Sequence, residues 1–449
     1  MRLVFLVVCL LLSAISYSQE SAGLIFGKQN GLLVGQINPS YILRSENKWD
    51  LQLVGAHAFF QTNYAFIDNS SLISVLRNTG TIEIPENDTP ISQYERPLIF
   101  RNGENAYYLD ASGEVFAPGF LYRITEGIAA GFSVRGRSMM SGHDFPAIFD
   151  QANMENFPLD STFQLTPFSA NAAAWTEYSF HGAMDLSNGY QIGVTAKYLK
   201  NKFSAFVDNN IETDISRATT NIFNSSLSSL VEFGSSTNTS WGNNQGSGFA
   251  LDLGFKTTQL FPFEAEVGVS LLDIGYLKNS STQYRVLGLD GQNLDINQYQ
   301  NIESIDQLVN TIDNDVFQID STAGFTTYLP TALSIQIIRP INDKISIEGS
   351  LTQRIVLSDR QLQRPNSINA SFVYETRSFS AFVPITIYDY KHIRIGTAVR
   401  LWYFTIGTDY LTSVISNQQD FDGTDIYVNL KVYPFNKRNS SADGITCPF

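Results

Sequence analysis

The sequence has few cysteines, few histidines and few charged residues. Of 449 residues, two are cysteine and four are histidine. Cys9 lies in an N-terminal stretch that we expect to be removed, which leaves only Cys447, so an internal disulfide is excluded and the fold relies on packing and hydrogen bonds. Charged residues make up 16% of the chain, and the net charge is −14. This balance argues against a nucleic-acid partner, because nucleic acid rewards clustered Lys and Arg.

The sequence also lacks long apolar runs beyond its first residues. A short charged start precedes an apolar stretch at 3–12, and Ser16 and Ser18 form a small-x-small cleavage site. We therefore expect residues 1–18 to be a secretory signal peptide. The alternative, a membrane-spanning helix, needs about 20 apolar residues. No later run approaches that length, so we predict no membrane helix downstream.

What the sequence has instead is alternation of apolar and polar residues. The stretch "ISIEGSLT" places Ile345, Ile347 and Leu351 on one face and polar residues on the other. A period of two over eight to eleven residues is typical of strands and is long enough to cross a bilayer at a tilt. Such segments lie at 49–60, 115–123, 127–137, 173–183, 189–200, 247–257, 264–276, 330–339, 344–354, 366–375, 378–387, 392–400, 401–411 and 424–435.

The connections between these fourteen segments alternate in length. Short turns separate some of them, whereas the longest loops span about 61–114, 138–172, 201–246 and 277–329. An even strand number with long loops at one end is typical of bacterial outer-membrane barrels. We predict an all-β fold, a transmembrane antiparallel β-barrel of about 14 strands surrounded by outer-membrane lipid. A soluble all-β protein explains the alternation but not the signal, the 13% aromatics and the one-sided loops together.

Two of the predicted strands carry an aspartate in an apolar setting. "GFALDLGF" contains Asp252 and "VSLLDIGY" contains Asp273. Alternation points Asp252 inward but would point Asp273 into lipid, where a carboxylate costs about 2 kcal/mol or more. We therefore predict a β-bulge near 271–272 that turns Asp273 inward. Gly254 and Gly275 fit positions where the wall kinks or another backbone approaches closely.

These aspartates have two interpretations. As lumen carboxylates they would be wetted, or paired with inward cations such as Lys197, Arg137 or Lys256. As a catalytic acid–base pair they would have to flank a sugar cleft, which nothing else in the sequence builds. No nucleophile elbow, zinc-helix signature or phosphate loop is present, so we expect neither an enzyme nor a cofactor.

One loop segment has acidic residues at a spacing that suits calcium. "DFDGTD" offers Asp420, Asp422 and Asp425, but it lacks the acidic residue that closes an EF-hand loop. The segment is therefore predicted either to hold a structural Ca²⁺ or to be a solvated turn.

Two long loops show apolar residues at helical spacing and are predicted to form amphipathic helices. The first lies in 215–233, and the second begins near 302, where Ser304 and Gln307 fit a capping box. The stripes either pack on each other and on the barrel rim, or line a groove for a hydrophobic ligand. The residues predicted for such a groove are Ile222, Phe223, Leu227, Leu230, Ile305, Leu308, Val309 and Ile312.

The segment before the first strand carries a family resemblance. "GQINPSYI", residues 35–42, resembles the start of long-chain fatty-acid-transporter-type barrels. With the two Leu-Asp-x-Gly-aromatic strands, the chain is most similar to an uncharacterised outer-membrane barrel family widespread in Bacteroidota. The resemblance implies fourteen strands and a luminal plug, with Asn38 and Pro39 where the plug meets the wall. It divides the chain into a signal at 1–18, a plug at 19–48, the barrel at 49–435 and a tail at 436–449.

The resemblance also implies two functions. In the first, the barrel binds or transports a hydrophobic small molecule through a plugged lumen. The groove residues above would capture it, and Asn38, Pro39, Asp252, Gly254, Asp273 and Gly275 would make plug and lumen contacts. In the second, the chain is an envelope-assembly barrel or one associated with type IX secretion, and its long loops bind an envelope protein.

Overall fold

The main element of the structure, a computed structural model, is a closed antiparallel β-barrel. The residues described are 21–77, 82, 94, 96–101, 107–145, 159, 162–186, 188–209, 212–217, 222–226, 230–235, 246–259, 265–288, 292–295, 307 and 317–434. The barrel strands are β1 Trp49–Thr62, β2 Tyr107–Phe116 continued by Gly119–Thr125, β3 Ile128–Phe145, β4 Phe168–Asp185, β5 Tyr190–Asn209, β6 Leu230–Ser235 continued by Gly246–Thr257, β7 Glu266–Gly288, β8 Phe317–Tyr328 continued by Ala332–Pro340, β9 Ile345–Arg354, β10 Ser367–Glu375, β11 Phe379–Tyr388, β12 His392–Ile395 continued by Thr397–Leu401, β13 Phe404–Thr408 and β14 Gly423–Val432.

The first and last strands close the barrel. Phe59 on β1 lies opposite Ser112 on β2 and opposite Asp425 on β14, and both pairings are antiparallel. Closure leaves no unpaired edge, which is the condition for a sheet to sit in lipid. The predicted number of fourteen strands is confirmed.

The two faces of the wall differ as the alternation predicts. On β6, Leu251, Leu253 and Phe255 are exposed on the outside, whereas Asp252 and Lys256 are buried inside. An apolar exterior around a polar interior identifies a transmembrane barrel of the bacterial outer membrane. Among the described residues, no helix is both long and apolar enough to cross a membrane.

Several strands run further into the predicted loops than the sequence indicated. β3 continues to Phe145, β5 to Asn209 and β7 to Gly288. The predicted loops at 138–172 and 201–246 were therefore too long. Each extra residue in a paired strand satisfies its own backbone hydrogen bonds, so the ladder continues even where the pattern of apolar residues fades.

The predicted helix in 215–233 is wrong. Residues Thr213–Arg217 and Ile222–Ser226 are strands in a small sheet with Thr162–Leu165 and Gln292–Asp295, and Leu230–Ser235 belongs to β6. Short apolar stretches fit helical and strand periods alike, and pairing between Thr213–Arg217 and Ile222–Ser226 selects the strands. Apart from Gln307, the second predicted helix lies outside the described residues.

The remaining elements are short. A two-stranded sheet joins Ala65–Ile67 to Leu98–Phe100. The helices are α1 Ala22–Ile25, 3₁₀ turns at Lys28–Gln36 and Pro39–Arg44, α2 Leu72–Arg77 and α3 Leu411–Ile415.

The N-terminal segment, residues 21–48, packs against inward-facing side chains of the wall. Ile25 and Phe26 lie in one apolar cluster with Phe382 and Tyr427 from the barrel. The fit depends on glycine: a Cβ at Gly23 would lie 2.4 Å from the Cβ of Ala398. This segment therefore occupies part of the lumen.

Candidate functional site in the barrel lumen

The wall contains a bulge at Asp273. Leu251 pairs with Ile274 and Leu253 with Leu271, so Leu272 and Asp273 together face one residue of β6. Asp273 has a φ of +52°, a conformation that Asp and Asn adopt more readily than most residues. The bulge predicted from the cost of placing a carboxylate in lipid is confirmed.

The bulge brings Asp273 next to two buried cations, Lys197 and Arg137, and one half-buried cation, Arg364. Lys197 Nζ donates to Asp273 Oδ1 at 2.6 Å, Arg137 Nη1 donates at 3.0 Å, and Arg364 Nη2 donates to Oδ2 at 2.6 Å. Asp252 lies beside them, 2.6 Å from Lys197 Nζ, and its Oδ1 accepts from the Asp273 backbone N–H at 2.7 Å. The two aspartates of the repeated motif thus share one lysine.

The network extends to the neighbouring strands. Arg135 lies 3.0 Å from Glu114 and 3.0 Å from Glu177, and Arg137 lies 3.1 Å from Glu114. We call this set the charge cluster; it comprises four carboxylates and four cations, Glu114, Glu177, Asp252, Asp273, Arg135, Arg137, Lys197 and Arg364. Opposite charges in equal number make burial of this set tolerable.

Of the three cations predicted to pair with the aspartates, two do so. Lys197 and Arg137 are in the charge cluster, whereas Lys256 lies 3.1 Å from Glu266. Glu266 is also 3.4 Å from Arg44 of the N-terminal segment.

The loop between β9 and β10, residues 355–366, folds into the barrel rather than away from it. Arg364 reaches Asp273, and Leu362 is fully buried. The backbone N–H of Gln363 donates to Ser141 Oγ on β3 at 3.0 Å. These contacts reach both β3 and β7, so the loop crosses the lumen. Nothing in the sequence signalled this, because loop composition does not specify which way a loop folds.

A small cavity lies between this loop and the N-terminal segment. Its volume is about 40 Å³, and its lining includes Ser21 and Ile37 below, Arg364 above and the charge cluster at the side. That volume holds a few water molecules. Pockets that bind drug-sized ligands are about 300–1,000 Å³, so this cavity is too small to hold such a molecule.

Asn38 fixes the N-terminal segment to the wall. Its Nδ2 donates to Gln336 Oε1 at 2.9 Å and to the Phe255 carbonyl at 3.1 Å. Its Oδ1 accepts from the Ser40 backbone N–H at 3.0 Å and so caps the turn that Pro39 begins. Both side-chain groups of Asn38 are therefore used, and Pro39 supplies the fixed φ that suits a first helical position.

The wall opposite Asn38 and Pro39 is built from glycine. A Cβ at Gly254 would lie 2.1 Å from Asn38 Oδ1, and a Cβ at Gly193 would lie 2.2 Å from the Ser40 backbone nitrogen. Either side chain would displace the N-terminal segment, so close approach of another backbone explains Gly254 as predicted. Gly275 has a different role, because a Cβ there would meet the Phe249 carbonyl of the adjacent strand at 2.3 Å.

The outer side of the same wall carries an apolar depression, which we call the outer groove. It measures about 810 Å³ and lies near the short-turn end of β3 to β7. Ala130 and Gly182 provide its small residues, while Leu253 and Phe255 stand at its margin. Its lining is Ile128, Ala129, Ala130, Gly182, Ala183, Met184, Ile192, Gly193, Val194, Leu253, Gly254, Phe255, Val269, Ser270 and Leu271.

A chain of hydrogen bonds tethers the start of the N-terminal segment. Ser21 Oγ lies 2.9 Å from His57 Nδ1, and His57 Nε2 lies 3.3 Å from Asp425 Oδ2. The next backbone N–H, of Ala22, donates to Asp409 Oδ2 at 2.9 Å. The set resembles a nucleophile–base–acid arrangement, but all of it is buried beside a cavity of about 40 Å³, so we assign it to anchoring. No local pattern in the sequence indicates this arrangement, since 36 and 368 residues separate the partners.

The predicted calcium ligands lie in different surroundings. Asp422 is 2.7 Å from Arg101 and Asp420 is 3.9 Å from the same side chain, whereas Asp425 is inside the barrel next to His57. Within the described part of the chain, no three His, Cys, Asp or Glu residues are grouped as metal ligands. Calcium binding stays a prediction.

The predicted hydrophobic capture residues are only partly within the described chain. Ile222 and Phe223 lie on a strand of the small sheet, and Leu230 begins a segment of β6. The other five, Leu227, Ile305, Leu308, Val309 and Ile312, lie outside the described residues. Their role in capture stays a prediction.

Comparison with known proteins identifies a family. The sequence profile of a family of unknown function (DUF5723) matches residues 39–409. No curated protein matches the chain. Among solved structures, the toluene transporter TbuX of Ralstonia pickettii is similar at 9% identity and a TM-score of 0.41, covering 90% of this chain and 92% of that one. A FadL homologue of Pseudomonas aeruginosa is similar at 10% identity and a TM-score of 0.41, covering 93% and 96%. Values this low transfer no activity.

Proposed function

The chain belongs to this family of unknown function, and we propose from its geometry that it binds a hydrophobic small molecule and passes it between the lumen and the membrane through the barrel wall. The N-terminal segment would act as the plug that controls this route. In this proposal the ligand binds in the outer groove on the membrane side, and Asn38 and Pro39 block the route on the lumen side.

The observation that carries the proposal is the thin wall between the outer groove and the N-terminal segment at Asn38 and Pro39. At Gly193 and Gly254 the inner face has no side chain, and the N-terminal segment touches the wall backbone directly. The same two glycines line the outer groove on the lipid side. The backbone of one sheet therefore separates the N-terminal segment from an apolar surface that is large enough for a small lipophile.

The groove suits a hydrophobic molecule because its lining is almost entirely aliphatic. A ligand there exchanges one apolar environment for another, so groove shape rather than the hydrophobic effect would select it. Passage requires Asn38 to release Gln336 and the Phe255 carbonyl. Hydrogen bonds of this kind contribute about 1 kcal/mol each, which a bound ligand can offset.

The test fills the groove without disturbing the fold. A Cβ at Gly182 meets nothing within 4 Å, and the same is true at Gly136, which faces outward from β3 beyond the groove. We expect Gly182→Trp to slow uptake of N-phenyl-1-naphthylamine, a fluorescent lipophile, into cells that carry the barrel. Gly136→Trp, the matched control, should leave uptake unchanged. Equal uptake in both variants and the wild type would contradict the proposed route.

The second candidate function, an envelope-assembly or type IX secretion-associated barrel, needs a protein partner on the long loops. The inward fold of loop 355–366 leaves Val356 and Leu357 exposed at its start, where they could contact a partner. Cross-linking in cells from a photoreactive residue at position 357 tests this. A stoichiometric protein adduct would favour assembly over transport.

A further inference from the structure

Arg394 is a buried cation that no carboxylate of the described residues pairs with. It lies on the short first part of β12 and is 5% exposed, while its neighbours Ile393 and Ile395 face lipid. Among the described residues, none makes a hydrogen bond or ion pair with its guanidinium, and its Nη1 is wholly buried. Buried charges in proteins are normally paired, because an unpaired one is expensive to desolvate.

Aromatic rings surround this guanidinium. Its Cζ lies 4.3 Å from the ring centre of Tyr410, 4.9 Å from that of Tyr388 and 5.9 Å from that of Phe59. Ring faces attract the flat face of a guanidinium. They do not accept its in-plane N–H groups, which remain available for an anion.

A second unpartnered polar side chain lies beside the first. Gln61 on β1 is 1% exposed, and within the described chain neither its Oε1 nor its Nε2 has a hydrogen-bond partner. The position of a Cβ on Gly423 would be 3.0 Å from Arg394 Nη2 and 3.2 Å from Gln61 Cα. Gln61 is the residue paired with Gly423 across β1 and β14, so Gln61 and Arg394 both border this glycine.

The nearby acids already have partners. Asp422 lies 2.7 Å from Arg101, Asp389 accepts from the Asn366 backbone N–H at 2.9 Å, and Asp110 lies 3.1 Å from His143. Asp110 and His143 are within ion-pair distance without a hydrogen bond, and none of these three carboxylates forms an ion pair with Arg394 in the described part of the chain. Since β1 ends and β12 and β14 begin here, the position is at the long-loop end of the lumen.

We propose that Arg394 and Gln61 form a binding site for one oxyanion group, a carboxylate or a phosphate, on a small molecule that arrives from the long-loop side. The guanidinium fork matches two oxygens of such a group, and the Gln61 amide donates a further hydrogen bond. The rings of Tyr388, Tyr410 and Phe59 flank the anion with apolar surface. This site does not depend on the outer groove, so either proposal can fail alone.

Calorimetry on the full-length barrel in detergent micelles tests the site, with sodium benzoate and inorganic phosphate as separate probes. We expect the wild type to bind at least one. Binding of benzoate alone indicates a carboxylate on an apolar body, and binding of phosphate alone indicates a phosphate group; either supports the site. Binding of neither overturns it.

Variants locate the binding. Arg394→Gln should weaken binding by about tenfold or more, as loss of a charged bidentate contact does. Lys391→Gln makes the same charge change on an exposed side chain three residues away and should alter affinity less than twofold. Unchanged affinity in Arg394→Gln overturns the proposal.

A third variant keeps the site testable if Arg394→Gln fails to fold. Gln61→Glu places an internal carboxylate beside Arg394, so it should abolish anion binding and raise the unfolding temperature by several degrees. A lower unfolding temperature together with unchanged binding would show that Arg394 and Gln61 do not share a site.

Discussion

Asp273 allows the charge cluster to be tested by a single change that preserves shape. Asp273→Asn keeps the size of the side chain, and asparagine tolerates the φ of +52° at this position. It removes the negative charge that faces Lys197 at 2.6 Å, Arg364 at 2.6 Å and Arg137 at 3.0 Å. The cluster then carries one excess buried positive charge.

The structure sets the expected size of the effect. Removing one partner of a buried ion pair costs about 3–5 kcal/mol, because the other charge is left uncompensated. Asp343→Asn, the same chemical change on an exposed turn, should stay within about 0.5 kcal/mol of the wild type. Adding Arg364→Gln to Asp273→Asn restores neutrality, so the double variant should be about 1–3 kcal/mol more stable than the sum of the two single effects.

Urea unfolding in detergent micelles, followed by tryptophan fluorescence, provides the measurement. Trp175 is a built-in reporter, since its ring lies 5.0 Å from the Arg137 guanidinium and is buried. The reasoning would be refuted if Asp273→Asn and Asp343→Asn unfolded at the same urea concentration. Strict additivity in the double variant would refute the pairing of Asp273 with Arg364.

Three further outcomes are expected. Gly193→Val should displace the N-terminal segment, whose backbone lies 2.2 Å from the added Cβ, and so speed its proteolysis; Gly136→Val should not. Lys431→Met should lower the unfolding temperature because Asp50, 2.9 Å from Lys431 Nζ, loses its cation, and adding Asp50→Asn should recover part of the loss. Trp402 is exposed at the turn between β12 and β13, so lipids brominated close to the headgroup should quench its fluorescence, as they do for an interfacial residue. Unquenched Trp402 fluorescence would contradict this position of the membrane boundary.

The sequence predicts the wall well because lipid and lumen impose opposite demands on alternate residues. Leu251 and Leu253 must meet lipid, so Asp252 between them must face inward. The same logic predicts the bulge at Asp273, because an outward carboxylate is too costly. These predictions required only the two-residue period of a strand and the free-energy cost of placing one charge in hydrocarbon.

The contacts between distant residues inside the lumen could not be predicted in this way. Arg364 and Asp273 are 91 residues apart, and nothing local to either indicates the other. The error at 215–233 has a local cause, since short apolar stretches fit helical and strand periods alike. There, pairing between Thr213–Arg217 and Ile222–Ser226 decided the outcome.

Mass spectrometry of what copurifies with the barrel tests the proposal that it binds a hydrophobic small molecule and that its N-terminal segment acts as a plug. The barrel should be extracted gently from its own outer membrane and analysed for both lipophiles and proteins. The account predicts a stoichiometric lipophile that is depleted in Gly182→Trp and retained in Gly136→Trp. A stoichiometric protein without any lipophile would contradict it and identify an assembly component instead.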